Sequence, residues 1–458
     1  MSADEASTSS KQPPTGCVDL ESSVETFSNF LSKFQFDKAR EFCEEQRLTQ
    51  AAYIGCKQWQ CLVANLVQLA SSESHYFSLT FFSSKFSFKK DNHVREGYMT
   101  IKNELDNCYD ECEKLGESNE SCEEFMLLLQ QLICLCTIRI KLVEFYVFLA
   151  TENWRQTVTE AGQHLNMINQ SMAKVLKNDI RLPQLKAVKT ELDILRKFFR
   201  IQSDLLDVSF VESLIQIKEV AHDLATWFSH VPFKASASKP HFFLFAFAKT
   251  TKCGPKLLLL CWFSTFYNTL LAKLCLYSHD LFAIHIPSSE MKSLLSAQPS
   301  FLQSILSYAR RVNSHMICLL LNRMGVNEDF YGFGYKNVIT RFGPDNLEPI
   351  NGRHGIYPAL FRYPNDQKLF DTLHPSIISL IQDSAERNGS DERVRHYFDG
   401  RSNITYFTVL VEKNVHFTAV FNRKVSEKDQ NVQQMFRDVL DGLRLISLIN
   451  DLRQCHKN

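Results

Sequence analysis

Residues 125–148 read FMLLLQQLICLCTIRIKLVEFYVF, apolar on nearly every face. A surface helix carries one apolar stripe, whereas a helix apolar all round lies inside its fold. The stretch therefore predicts a central helix that other helices enclose. Its surroundings agree. Between Pro14 and Pro183 there is no proline, and the only glycines are Gly16, Gly55, Gly97, Gly116 and Gly162. Proline and glycine are the residues that interrupt helices, so so few of them favour long helices on short loops.

Working outward, Leu20, Val24, Phe27, Phe30, Leu31 and Phe34 recur at three- and four-residue steps, and Leu62, Leu66 and Leu69 mark a further stripe. Leu192, Leu195, Phe199, Gln202 and Leu206 follow a 3-4-3-4 spacing with Gln202 the one polar member, and Leu214, Ile217, Ala221, Leu224 and Phe228 repeat it. Ser209 with Glu212 fits a capping box before that last helix. Together these predict an antiparallel helical bundle over 20–231. Residues 1–19 read as a disordered leader, and 232–240 as a small-residue linker bounded by proline. Residues 241–458 form the second unit, beginning with helical segments at about 241–284 and 289–312.

Beyond Asn313 the texture changes. Residues 315–321 (HMICLLL) predict a buried strand, as do 356–363 and 376–381. Thr405–Val411 and Val415–Phe421 flank the turn Glu412-Lys413-Asn414 and predict a β-hairpin. Ser426 is the expected cap of a final helix. The fold class is therefore α+β: a helical bundle, then a mainly antiparallel sheet flanked by helices. Residues 322–355 form an unusually long connection, whose aromatic, glycine-rich centre Phe330, Tyr331, Gly332, Phe333, Gly334 and Tyr335 is the candidate partner interface.

Composition excludes several functions. Lys plus Arg and Asp plus Glu both number 51, so there is no cationic surplus of the kind that drives non-specific nucleic-acid binding. The sixteen residues 257–272, LLLLCWFSTFYNTLLA, are uncharged. They fall short of the roughly 20 that span a bilayer and carry polar residues, so they predict a core helix. The first sixteen residues are polar and lack the apolar region of a signal peptide, which points to the cytosol. The fourteen cysteines include no CxxC pair and read as reduced thiols, mostly among apolar residues. Cys108, Cys112 and Cys122 are too few for a structural zinc site, which takes four ligands.

No catalytic, cofactor-binding or metal-binding set emerges. Gly332-Phe333-Gly334 lacks the third glycine of a dinucleotide loop, and there is no Walker loop, nucleophile elbow or HExxH helix. His315, His354, His374, His396 and His416 are scattered over the sheet region, so the alternative to a non-enzyme is a dispersed hydrolase-type site there, such as Cys318 with His374.

Short motifs in fixed order carry a resemblance. They include Phe36-Asp37-Lys38-Ala39, Ser78-Leu79-Thr80, Asn103-Glu104-Leu105, SEMKSL at 289–294 and the GFGY of 332–335. Tyr357-Pro358-Ala359, VRHYF at 394–398, His416-Phe417-Thr418 and Ser426-Glu427-Lys428-Asp429 follow. Over about 24–430 the sequence resembles the KICSTOR complex subunit 2 family. The resemblance implies a bundle followed by a roadblock- or longin-type domain and a non-catalytic scaffold role without cofactors. It implies as partners kaptin, an FG-GAP repeat protein and a very large seizure-threshold protein, and indirectly the GATOR complex and Rag GTPases. Recruitment to the cytosolic face of the lysosomal membrane would be indirect, restraining TOR kinase signalling when amino acids or glucose are short. The resemblance also implies a role in cilium assembly.

Overall fold

The computed structural model describes residues 20–50, 57–82, 93–115, 120–151, 154–176, 180–229, 231, 257–279, 301–326, 349–387 and 393–454. Eight helices come first: α1 (Leu20–Ser32), α2 (Phe36–Gln50), α3 (Lys57–Phe77), α4 (His93–Leu115), α5 (Glu120–Thr151), α6 (Trp154–Leu176), α7 (Pro183–Leu206) and α8 (Phe210–Phe228). Each packs on the next, and α1 returns to pack on α7 and α5, closing the bundle. Helix α5 holds the central place its composition predicts, with Leu129, Leu135, Cys136, Leu142, Val143 and Tyr146 fully buried.

Local chemistry sets the helix ends. Pro183 starts α7, where its missing N–H is harmless. The preceding N–H groups of Arg181 and Leu182 both donate to Gln131 Oε1, at 3.1 and 3.0 Å. Ser209 does occupy the N-cap of α8, but its side chain makes no capping bond. Its carbonyl instead accepts from both the backbone N–H and the hydroxyl of Ser213.

The sheet has the order β2-β1-β5-β4-β3, antiparallel throughout. Its strands are β1 (Met316–Leu321), β2 (Ala359–Tyr363), β3 (Arg395–Asp399), β4 (Ile404–Glu412) and β5 (Val415–Phe421). The hairpin β4–β5 is as expected. The stretch 356–363 forms a shorter strand than expected, because Ile356 ends a single helical turn, α11 (Arg353–Ile356), before β2 begins. The segment 376–381 is not a strand at all. It lies inside α12 (Gln367–Arg387), which continues through Pro375. The apolar set Phe370, Leu373, Ile377 and Ile381 keeps helical spacing across that proline and covers the outer face of the sheet at Met316, Cys318, Leu320 and Val420.

The inner face, with Ile317, Leu319, Phe407, Val409, Phe417 and Phe421, joins the main core. Helices α9 (Leu258–Tyr277), α10 (Phe301–Val312), α13 (Gln430–Leu443) and α14 (Ile446–Gln454) contribute to that same core. Asp429, not Ser426, caps α13: its carboxylate accepts from the N–H of Asn431 and Val432. Ser426 forms the turn before it, accepting from the Asp429 N–H through its carbonyl. An aspartate one residue before the helix reaches the orphan amides that a serine four before it cannot.

Helix α9 is the shared member. It packs on α3, α7 and α8 of the bundle and on α10, α14 and β2 of the sheet unit. By length and composition it would suffice to cross a membrane, but most of it is buried within the protein. Trp262 shows how: its indole N–H donates to Leu448 O at 3.1 Å. One apolar cluster consequently runs from Val24 to Leu452 through both parts of the chain.

Candidate functional site

Two clusters of buried charge stand out. The first lies within the bundle and centres on Arg139 of α5, 1% exposed. Its guanidinium donates to both oxygens of Glu73 on α3, at 2.8 and 2.9 Å, and to Glu191 on α7 at 2.5 Å. Two carboxylates on one cation leave an excess of acceptors, which hydroxyls and an amide fill. Tyr76 and Tyr146 donate to Glu191, Tyr98 donates to Glu73 at 2.8 Å, and Gln184 also donates to Glu73. The Arg139 guanidinium sits 4.1 Å from the Tyr76 ring centre. Burial opposes its charge, but Glu73 and Glu191 outweigh that and hold it protonated, well above the usual range. Burial, with Glu191 next, drives the Tyr76 and Tyr146 hydroxyls far up, so they stay donors.

The second cluster forms the joint between bundle and sheet. Lys273 of α9 is fully buried. An ammonium has three hydrogens to donate, and three acceptors meet it: Gln202 Oε1 at 3.1 Å, Leu443 O at 2.9 Å and Glu412 Oε1. Glu412, at the end of β4, also accepts from Gln202 Nε2 at 3.0 Å and Tyr277 Oη at 2.8 Å. Arg444, between α13 and α14, donates to Val411 O at 2.9 Å and Leu410 O at 2.6 Å. Thus α7, α9, β4 and the end of α13 meet on one ion pair. Burial pulls the Lys273 pKa down, with Glu412 acting against it.

Neither cluster is arranged for turnover, because every charged group is buried and engaged with protein partners. The dispersed pair considered from sequence behaves similarly. Cys318 belongs to the outer-face cluster and His374 stacks on that cluster's Phe370, but burial pushes the Cys318 thiol up to about 12. Burial, helped by His354, pushes His374 down to about 4. A thiol that resists ionisation and an imidazole too weakly basic to take its proton are the reverse of an activated nucleophile and its base. His374 stacks on Phe370 and His354, and its Nε2 bonds Tyr357 O at 3.0 Å. His396 Nε2 bonds Val425 O at 2.9 Å, and His416 is a buried sheet residue.

Cys108 and Cys112 are buried on α4, with Cys61 of α3 beside Cys108. The Cys108 thiol is pushed up to about 12, by burial first and then by Cys112. Among the described residues no group of three or more His, Cys, Asp or Glu is arranged to hold a metal. The side chain of Cys122 and the interface candidates Phe330–Tyr335 lie outside the described residues. The stems of that segment are described, and they expose apolar side chains: Met324, Val326, Ile350 and Ile356.

The sequence reading missed Glu73, Arg139, Glu191, Lys273 and Glu412 as a constellation. Only Gln202, noted as the polar member of an apolar stripe, pointed into one.

Residues 16–457 match the family described as "KICSTOR complex C12orf66 like". This chain belongs to that family. KICSTOR subunit 2 of Xenopus laevis is 25% identical over 445 residues, covering 94% of this chain and 96% of the relative. KICSTOR subunit 2 of Danio rerio is 24% identical over 431 residues, covering 92% and 93%. The resemblance read from short motifs is thus supported along almost the whole chain. Membership of the KICSTOR family makes assembly with other proteins the chain's coarse role and a scaffold, rather than an enzyme, its suggested character.

Proposed function

We propose that this chain is a non-catalytic scaffold subunit of a KICSTOR-type complex. It acts with kaptin, an FG-GAP repeat protein and a very large seizure-threshold protein to bring the Rag-directed GATOR complex to the cytosolic face of the lysosomal membrane. There it restrains TOR kinase signalling when amino acids or glucose are scarce, and it contributes to cilium assembly. The observation that carries this reading is the family match running through both bundle and sheet. The continuous core and the Lys273 joint support it physically, because a scaffold holds its docking faces at fixed separation.

The membrane contact in this reading is indirect. The one helix among the described residues that is apolar and long enough to span a bilayer is occupied as the shared core helix. The partner interface includes Phe330, Tyr331, Gly332, Phe333, Gly334 and Tyr335. Exposed Met324, Val326, Ile350 and Ile356 at its stems support that assignment, since clustered exposed apolar side chains mark interaction sites.

The test is affinity purification from fed and starved cells with mass spectrometry, alongside imaging of the tagged chain against a lysosomal marker. Recovery of the three partners and GATOR subunits is expected, with lysosomal recruitment that disappears when the large partner is deleted. A chain recovered alone and diffuse under both conditions would overturn the proposal. Phe333→Ser with Tyr335→Ser is expected to reduce partner recovery while the far-UV spectrum stays unchanged.

A further inference from the structure

A groove of about 730 Å³ runs along α7 between α6 and α8. Phe199 and Val158 form part of its lining, and polar side chains of α6 and α7 form much of the rest. Two features of this groove are not fully used by contacts among the described residues.

The first is Gly162, in the interior of α6. Glycine in a helix interior is unfavourable relative to alanine. Where a neighbouring element approaches closely, the absent side chain explains the choice. Here a Cβ at 162 would meet nothing within 4 Å. The open space lies at the groove. A glycine facing an open channel suits a backbone that comes from outside and packs at short range.

The second is charge. The groove is lined by Arg196 and Lys197, adjacent on one turn of α7, and by Arg200 on the next, with Asp193 and Asp223 among them. Arg196 is engaged by Asn166 at 3.1 Å and Asp193 at 3.4 Å. Lys197 is held by Asp223 at 2.9 Å and Glu219 at 3.1 Å. Arg200 is different: its side chain is 72% exposed and its pairing with Asp204 is 3.9 Å long. Asp204 is itself closer to Gln216, which donates to it at 2.8 Å. Arg200, which lines the groove, therefore keeps donor capacity beyond that long pairing, and its planar fork suits a carboxylate.

From these we infer that the α6–α7–α8 groove seats an acidic helix from another subunit of the complex, its backbone nearest Gly162 and a carboxylate on Arg200. The mode is a helix laid in a groove between helices. A helix is favoured because the channel follows α7 and its walls are two helices, so a third packs at ordinary interaxial distance. The inference rests on the reading of the chain as a complex subunit.

The experiment places a photo-crosslinking amino acid at Gln163, on the groove wall, and a second at Lys428, remote from it, in the full chain. The assembled complex is purified, irradiated and mapped by mass spectrometry. A cross-link from Gln163, and not from Lys428, to a helical segment rich in Asp or Glu of another subunit is expected. Arg200→Glu should reduce its yield about tenfold or more, and reversing the partner's carboxylate to lysine should restore it. Gly162→Leu should abolish it by filling the channel. Recovery of the chain alone overturns both this inference and the subunit reading. An intact complex overturns the groove alone if Gln163 yields no cross-link, links only to a second copy or a non-acidic segment, or is insensitive to Arg200→Glu.

Discussion

The Arg139 cluster and the Lys273 cluster solve one problem in two ways. Arg139 lies inside a single unit and gathers α3, α5 and α7 around one cation and two carboxylates, with three tyrosines and an amide completing the acceptor count. Lys273 lies between units and gathers α7, α9, β4 and the end of α13 around one cation and one carboxylate. Arginine's flat fork reaches two carboxylates in opposite directions, whereas lysine's three hydrogens close a compact, neutral knot. The first arrangement fixes helix register inside the bundle. The second fixes how the sheet sits on it.

The largest effect expected from breaking this comparison is at Arg139. Arg139→Met leaves two carboxylates buried without a cation and should lower stability by about 5 kcal/mol. Denaturant unfolding measures it, and a loss under 1 kcal/mol would show that the tyrosines alone satisfy the site. Lys273→Met should cost about 3 kcal/mol, because only one carboxylate is stranded and it keeps Tyr277 and Gln202. Its signature is regional: hydrogen exchange should rise in β4 and at the end of α13 while α3–α5 stay protected. Uniform acceleration would mean that the joint is no separate unit of stability.

Acid sharpens the contrast, because the sheet unit holds two buried histidines, His416 on β5 and His374 on α12. Burial pushes His416 and His374 down to about 4 from an ordinary 6.5. Between those values the unfolded chain binds protons that the folded one refuses. Stability is therefore full above about pH 6.5 and falls as the pH drops toward 4, by about 2–3 kcal/mol through His416 and by less through His374, whose surroundings are more open to solvent. Melting temperatures measured from pH 7 to 4.5 should fall less steeply in His416→Leu than in the parent. An unchanged slope would remove His416 from the account. The smallest effect is at Gly162, where alanine fits the helix and meets no neighbour. Gly162→Ala should stabilise the bundle by about 1 kcal/mol, seen as a small rise in melting temperature.

The sequence was a good guide to whatever depends on near neighbours. The 3-4 spacing of Leu192, Leu195 and Phe199 and the alternation of Thr405–Val411 are local, and α7 and β4 appear where they predict. The segment 376–381 misled because a short apolar run has no distinguishing period of its own. Read across Pro375, from Phe370 to Ile381, the helical spacing is present. The charged clusters were not legible for a different reason. Arg139 finds Glu73 across 66 positions, and Gln202 finds Glu412 across 210. Nothing in a local window selects those partners; only the packed helices do.

Helix α14 packs on both α9 and α5. A ribosome delivers α5 early and α14 last among the described elements, roughly 300 residues later, which at ordinary elongation rates is about 15–60 s. Throughout that interval the flank of α5 that α14 will cover stays bare. Folding of the first half during synthesis is thus provisional, and a chaperone that binds apolar helix faces has a defined target and a defined moment of release.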